Sequence, residues 1–213
     1  MLRIYLHGLG QTPASWDKTI ECLKETEPSL CPNLAQLLQG KKATYENLYK
    51  AFSEICEAQE EKIDLCGLSL GSVLALQFAM EHPGKVNSLV LIAPQYKMPV
   101  TLLKLQNFLF RFLPESGFQQ TGFGKREFME LCRTMMPLDF SASLGEIACP
   151  VLLICGEKDP ANQKAALELA GKLKNARYQV IPGAGHEVNL EAPEKLAEAL
   201  ADFQGCFSRN GML

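Results

Sequence analysis

Five short apolar runs recur along the chain, with helical patterns between them. The runs are Leu2–Leu6, Lys62–Cys66, Val86–Ile92, Val151–Cys155 and Tyr178–Ile181, and a weaker candidate lies at Ser29–Cys31. Little polar alternation interrupts them, which predicts strands covered on both faces and hence a parallel sheet. The intervening spacing predicts helices over Pro13–Glu25, Thr44–Glu60, Ser69–Glu81, Asn162–Lys174 and Ala192–Phe203. Thr12 before Pro13, and Asp159 before Pro160, read as helix starts. In each, a capping oxygen precedes a residue with no amide hydrogen to satisfy. Alternating β and α elements imply a three-layer α/β fold with right-handed crossovers, in one domain over residues 1–213.

One stretch breaks this rhythm. Residues 97–147 have helical pieces and no clear strand, yet hold seven of the 11 phenylalanines. So long an excursion between two core strands is usually functional. It is expected to form a small helical cap over the C-terminal ends of the strands. The terminal residues 208–213 are expected to fray.

Composition then narrows the function classes. At 213 residues and 47% hydrophobic, the chain can bury a sizeable core. A net charge of −3 gives no electrostatic case for nucleic acid or an anionic membrane surface. No apolar stretch is long enough for a signal peptide or a membrane span. The eight cysteines form no C-x-x-C pair and the three histidines are scattered, so neither zinc nor another metal is expected. Scattered cysteines without a leader point to a reducing cytoplasm.

The candidate chemistry centres on Gly67-Leu68-Ser69-Leu70-Gly71. It follows an apolar run and opens a helical pattern, the strand–turn–helix setting of a nucleophile elbow. Glycines flank the serine because the turn is strained and its neighbours lie close. Serine needs a base within hydrogen-bond reach. His186, in the glycine-rich loop Gly183-Ala184-Gly185-His186, is placed to deliver one; this loop is expected to be mobile. His82 reads as a helix-end residue, and His7 lies in His7-Gly8-Leu9-Gly10, a candidate oxyanion loop. Asp159, just beyond the Val151–Cys155 run, is the acid expected to orient His186, with Glu157 as the fallback. Backbone N–H groups of Leu9 and Leu70 are the expected oxyanion donors. His7 and Gln11, with Phe108 and Phe112 of the cap, are the candidate pocket residues. The chain order Ser69, Asp159, His186 is that of one of the known triad arrangements.

With these residues in view, the chain resembles the α/β-hydrolase superfamily. The matching stretches are His7-Gly8-Leu9-Gly10, Gly67–Gly71, Glu81-His82-Pro83-Gly84-Lys85-Val86, Gly156-Glu157-Lys158-Asp159, and Gly183–His186 with Glu191-Ala192-Pro193. The resemblance implies an α/β-hydrolase fold of about six mostly parallel strands, beginning at what would be the family's third strand. Ser72 departs from it, where many relatives carry a second glycine. Small size and early Trp16 look like the small-esterase and menaquinone-pathway branch, which includes a synthase that eliminates pyruvate. The expected function is a serine hydrolase of small or medium apolar carboxylic esters, a small-molecule substrate, with no cofactor. Triad-dependent elimination or C–C cleavage, and a non-catalytic ligand-binding role on the same fold, are the alternatives.

Overall fold

Every apolar run forms a strand in the computed structural model, which describes residues 1–24, 28–118 and 122–210. The strands are β1 (Leu2–Leu6), β2 (Ser29–Leu30), β3 (Ile63–Leu68), β4 (Val86–Ile92), β5 (Val151–Gly156) and β6 (Ala176–Ile181). They make one all-parallel sheet in the order β2-β1-β3-β4-β5-β6.

Successive strand residues point to opposite faces, and here both faces are buried. Ile4, Leu6, Leu65, Leu89, Leu91 and Leu153 join one apolar cluster, whereas Tyr5, Cys66, Leu68, Val90, Ile92 and Leu152 join another. The first is covered by α3 (Tyr45–Glu57), α4 (Leu70–Glu81) and α7 (Pro160–Ala170), following α1 (Asp17–Leu23) and the single turn α2 (Leu34–Leu37) in the chain. The second is covered by Trp16, α8 (Val188–Glu191) and α9 (Pro193–Asn210). Burial on both sides is why the strands read as continuous runs.

Local chemistry moves several expected boundaries. Thr12 does not cap with its side chain; Pro13–Trp16 is a 3-10 turn in which Ser15 N–H donates to the Thr12 carbonyl at 3.0 Å. Asp159 does cap, so α7 starts at Pro160 rather than at Asn162. The last helix reaches Asn210, into the stretch expected to fray. Glu25, the expected end of the first helix, and residues 211–213 lie outside the described residues.

Between β4 and β5 lie α5 (Val100–Phe110) and α6 (Lys125–Met135). The two ends of this excursion meet. Met98 N–H donates to the Leu138 carbonyl at 3.0 Å and Phe140 N–H to the Tyr96 carbonyl at 2.8 Å. Lys97 and Asp139 form an ion pair at 2.9 Å beside them. Phe118, Phe123 and Phe128 are buried, and α6 turns Leu131 and Cys132 inward, whereas no residue of α5 is buried.

His7, at the end of β1, is buried and has a structural task. Its Nδ1–H donates to the Gly8 carbonyl at 2.9 Å, and Nε2 accepts the Leu34 N–H at 3.2 Å, which ties the start of α2 to the sheet. Burial lowers its pKa below the ordinary value, against a smaller upward pull from the Gly8 carbonyl. Protonation would also set an N–H against the Leu34 N–H. The folded form therefore binds fewer protons than the unfolded chain. The associated stability is complete above the unfolded pKa of about 6.5 and declines as pH falls toward the folded value. Urea unfolding between pH 7 and pH 5 is expected to show this decline. In His7→Gln, whose amide oxygen can replace Nε2 as acceptor, that component of the slope is expected to vanish.

Candidate active site

Ser69 stands between β3 and α4 in a conformation that side chains rarely adopt, φ 52° and ψ −111°. Such a residue carries roughly 1–3 kcal/mol of strain, here opposed by the structure around it. Ser69 N–H donates to the Ile92 carbonyl at 2.9 Å. Its own carbonyl accepts the Val73 N–H at 3.1 Å and the Ser72 hydroxyl at 2.7 Å. A Cβ on Gly67 would run into the Gly71 carbonyl, and one on Gly71 into the Leu6 carbonyl. Both glycines are thus required by backbone contact, and the hydroxyl of Ser72 is accommodated without disturbing the turn.

His186 and Asp159 meet from successive loops. Nδ1 of His186 lies 2.8 Å from Asp159 Oδ2. The ionised carboxylate can only accept, so the hydrogen sits on Nδ1, and in the neutral ring Nε2 is the nitrogen with the lone pair. Asn162 Nδ2 donates to both Asp159 oxygens, at 2.9 and 2.8 Å, while its Oδ1 accepts from Gln95 Nε2 at 2.8 Å. Burial pushes the Asp159 carboxyl up, but the hydrogen bonds from His186 and Asn162 outweigh it and hold the pKa below its usual value. The loop bearing His186 is held by hydrogen bonds to its backbone N–H groups. Glu191 accepts N–H groups of Gly185 and Glu187 at 2.7 and 3.1 Å, and Glu157 accepts that of Gly183 at 2.8 Å. Glu157 is therefore a loop brace rather than the fallback acid. A Cβ at Gly156 would strike the Gly185 carbonyl, so only glycine lets this loop cross the end of β5.

Ser69 and His186 line one cavity of about 260 Å³, together with Leu9, Leu70 and Asn162. No hydrogen bond joins the Ser69 hydroxyl to His186 among the described residues; such contacts often tighten only with substrate bound. Leu70 opens α4, so its N–H precedes the first intrahelical bond and lies at the positive end of the helix dipole. The remaining wall is largely apolar, with Val73, Met98, Leu102, Leu103, Phe128 and Met135, and its polar side chains are Gln95 and Gln106. Cys132 is also there, but burial pushes its thiol up to about 12, which removes it as a competing nucleophile. Ala93, at φ 48°, closes the end of β4 beside the serine.

The four expected pocket residues lie elsewhere. Phe108 and Phe112 point outward, 53% and 73% exposed, because α5 turns that face away from the cavity. His7 is engaged with Leu34. Gln11 is buried beneath the site, where its Oε1 accepts the Gly8 N–H at 3.2 Å and its Nε2 donates to Glu187 at 3.0 Å and Asn189 at 3.1 Å. Asn189 donates back to Gln11 at 3.1 Å and to the Ser15 carbonyl at 3.2 Å. This buried pair couples the loop of Leu9 to the loop of His186. Asn162, Gln95 and Asn189 escape the sequence reading. Of these, only Asn162 carries a signal, at the third helical position after the capping Asp159.

Comparisons with known proteins agree with this architecture. The model of the alpha/beta hydrolase family matches residues 4–199. A Bacillus subtilis protein named as a 2-succinyl-6-hydroxy-2,4-cyclohexadiene-1-carboxylate synthase is 24% identical, over 94% of this chain and 89% of its own. A monoacylglycerol lipase of Xenopus laevis is 23% identical, over 94% of this chain and 74% of its own. The solved enol-lactonase of Burkholderia xenovorans superposes with a TM-score of 0.81 at 16% identity, covering 96% of this chain and 91% of that one.

The Gln11–Asn189 pair gives a measurable consequence. Gln11→Leu and Asn189→Leu each remove the two mutual hydrogen bonds and leave the other buried amide only part-satisfied, which costs about 1–3 kcal/mol. The double variant is expected to lose less than the sum of the two, read from urea midpoints.

Proposed function

This chain belongs to the α/β-hydrolase family, and we propose that it is a serine hydrolase cleaving carboxylic esters of small or medium apolar acyl groups. One observation carries the reading. A serine held at φ 52° shares a largely apolar cavity with a histidine whose Nδ1 is bonded at 2.8 Å to a buried carboxylate. On this reading Ser69 Oγ attacks the ester carbonyl carbon while Nε2 of His186 takes its proton. Asp159 fixes the tautomer and stabilises the imidazolium. The backbone N–H groups of Leu9 and Leu70 hold the oxyanion. His186 then returns the proton to the departing alkoxide. A water deprotonated by the same nitrogen releases the acid and frees Ser69. The chemistry needs no cofactor, and the enzyme works in a reducing cytoplasm.

The cavity lining favours hydrolysis over the elimination performed by a synthase. A substrate with several carboxylates would want cations around it. Among the described residues none of the lining groups is Lys or Arg; the cations of α5 and α6 border a different groove. A volume near 260 Å³ falls just below the usual range of about 300–1,000 Å³ for ligand pockets, which supports a small or medium acyl group.

Ser69→Ala is expected to lower turnover of p-nitrophenyl esters by roughly 10⁴- to 10⁶-fold with unfolding unchanged. Retained activity would sink the assignment. A series from acetate to decanoate should show an optimum at short or medium chains. In Phe128→Ala, which removes an apolar wall, the optimum should move to longer ones.

A further inference from the structure

Exposed large apolar side chains are concentrated in one place. Seven of the 11 among the described residues fall between 100 and 113. Leu102, Leu105, Leu109 and Phe112 recur at helical spacing along α5 and its exit, and Phe108 packs edge-on against Phe112 with ring centroids 5.3 Å apart. Phe108 also borders a groove of about 740 Å³ between α5 and α6, whose walls include Lys104, Arg111, Lys125, Arg126 and Arg133 against Glu115 and Glu130. Arg133 is paired with Glu130 and Lys125 donates to two backbone carbonyls. Among the described residues no ion pair engages Lys104, Arg111 or Arg126. A chain of net charge −3 thus carries a local apolar face rimmed by cations.

We propose that the exposed face of α5, with Lys104, Arg111 and Arg126 at its edge, is a docking surface for an anionic lipid bilayer. This combination is what an interfacial helix needs: apolar rings and leucines to enter the acyl boundary, and cations to meet the headgroups. It also explains why the net charge, which gives no case for such a surface, misleads; it averages a basic edge over an acidic molecule. A second copy of this chain is a poorer occupant, because the face would meet an equally cationic rim and gain no opposite charge. No helix among the described residues is long and apolar enough to cross a membrane, so the contact lies along the surface. Leu102 belongs both to the exposed face and to the cavity wall, so docking would bring the bilayer to the cavity mouth. Only that last point, that the bilayer supplies the ester, rests on the hydrolase reading.

The test is sedimentation of the catalytically silent Ser69→Ala protein with sucrose-loaded vesicles of phosphatidylcholine, with and without phosphatidylglycerol. Binding is expected with phosphatidylglycerol, to weaken in high salt, and to fall at least about tenfold in Leu109→Ser/Phe112→Ser and in Lys104→Glu/Arg111→Glu. Neither pair touches the cavity, so in the Ser69 background both should retain turnover of soluble p-nitrophenyl acetate. That turnover reports on the chemistry separately, so failed binding with intact hydrolysis would overturn the docking alone. No sedimentation with phosphatidylglycerol would overturn the proposal. So would binding unchanged in the Leu109→Ser/Phe112→Ser variant. Concentration-dependent dimers that disappear in that variant, without vesicle binding, would assign the face to a second copy instead.

Discussion

The close approach of α4 to the end of β1 is the constraint from which the site follows. Gly71 brings its backbone against the Leu6 carbonyl, and Gly67 admits Gly71 in turn. With no side chains between them, the helix starts abruptly where the strand ends. Ser69 is forced into the left-handed region at φ 52°, its hydroxyl facing the cavity. The same contact fixes where the Leu70 N–H points, because it is the first amide of that helix. It also sets the distance to the loop of Leu9, which leaves β1 beside it. The candidate nucleophile and both oxyanion candidates are therefore placed by one backbone fit, before any side-chain interaction is considered.

A second fit on the far side of the sheet has the same character. Gly156 lets the loop of residues 183–187 lie across the end of β5, and carboxylates of Glu157 and Glu191 hold that loop by its N–H groups. The placement of His186 follows from bonds to the loop backbone, and the carboxylate of Asp159 has only to orient the ring. Asn162 and Gln95 extend this order outward, so that Asp159 is surrounded by donors and stays ionised.

What could be read from the chain was what depends on neighbours in sequence. Strands buried on both faces declare themselves as continuous apolar runs. Ser69, Asp159 and His186 each lie within a few residues of a strand's end, so their convergence follows from a parallel sheet. Wherever the answer depended on how one helix is rotated, the chain was silent. Phe108 and Phe112 have the composition of a pocket wall, but α5 turns them outward, and Met98, Leu103 and Phe128 take that place. His7 and Gln11 sit beside the oxyanion loop in sequence, yet their side chains turn into the core, toward Leu34 and Asn189. Asn189 pairs with Gln11 across 178 residues, a distance that no local pattern reports.

The stem formed by Met98, Leu138, Tyr96 and Phe140 has an implication for how such a protein diversifies. Both ends of the α5–α6 excursion are joined by backbone bonds and the Lys97–Asp139 pair, whereas α6 stays tied to the body of the fold through Phe128, Leu131 and Cys132 in the core and the Tyr45 N–H bond to Thr134. Lengthening a loop closed at its base adds only about 0.6 kcal/mol for each doubling. The segment free to vary is therefore α5, which buries no residue of its own, and changing it would reshape the cavity wall while the backbone setting of Ser69 is inherited intact.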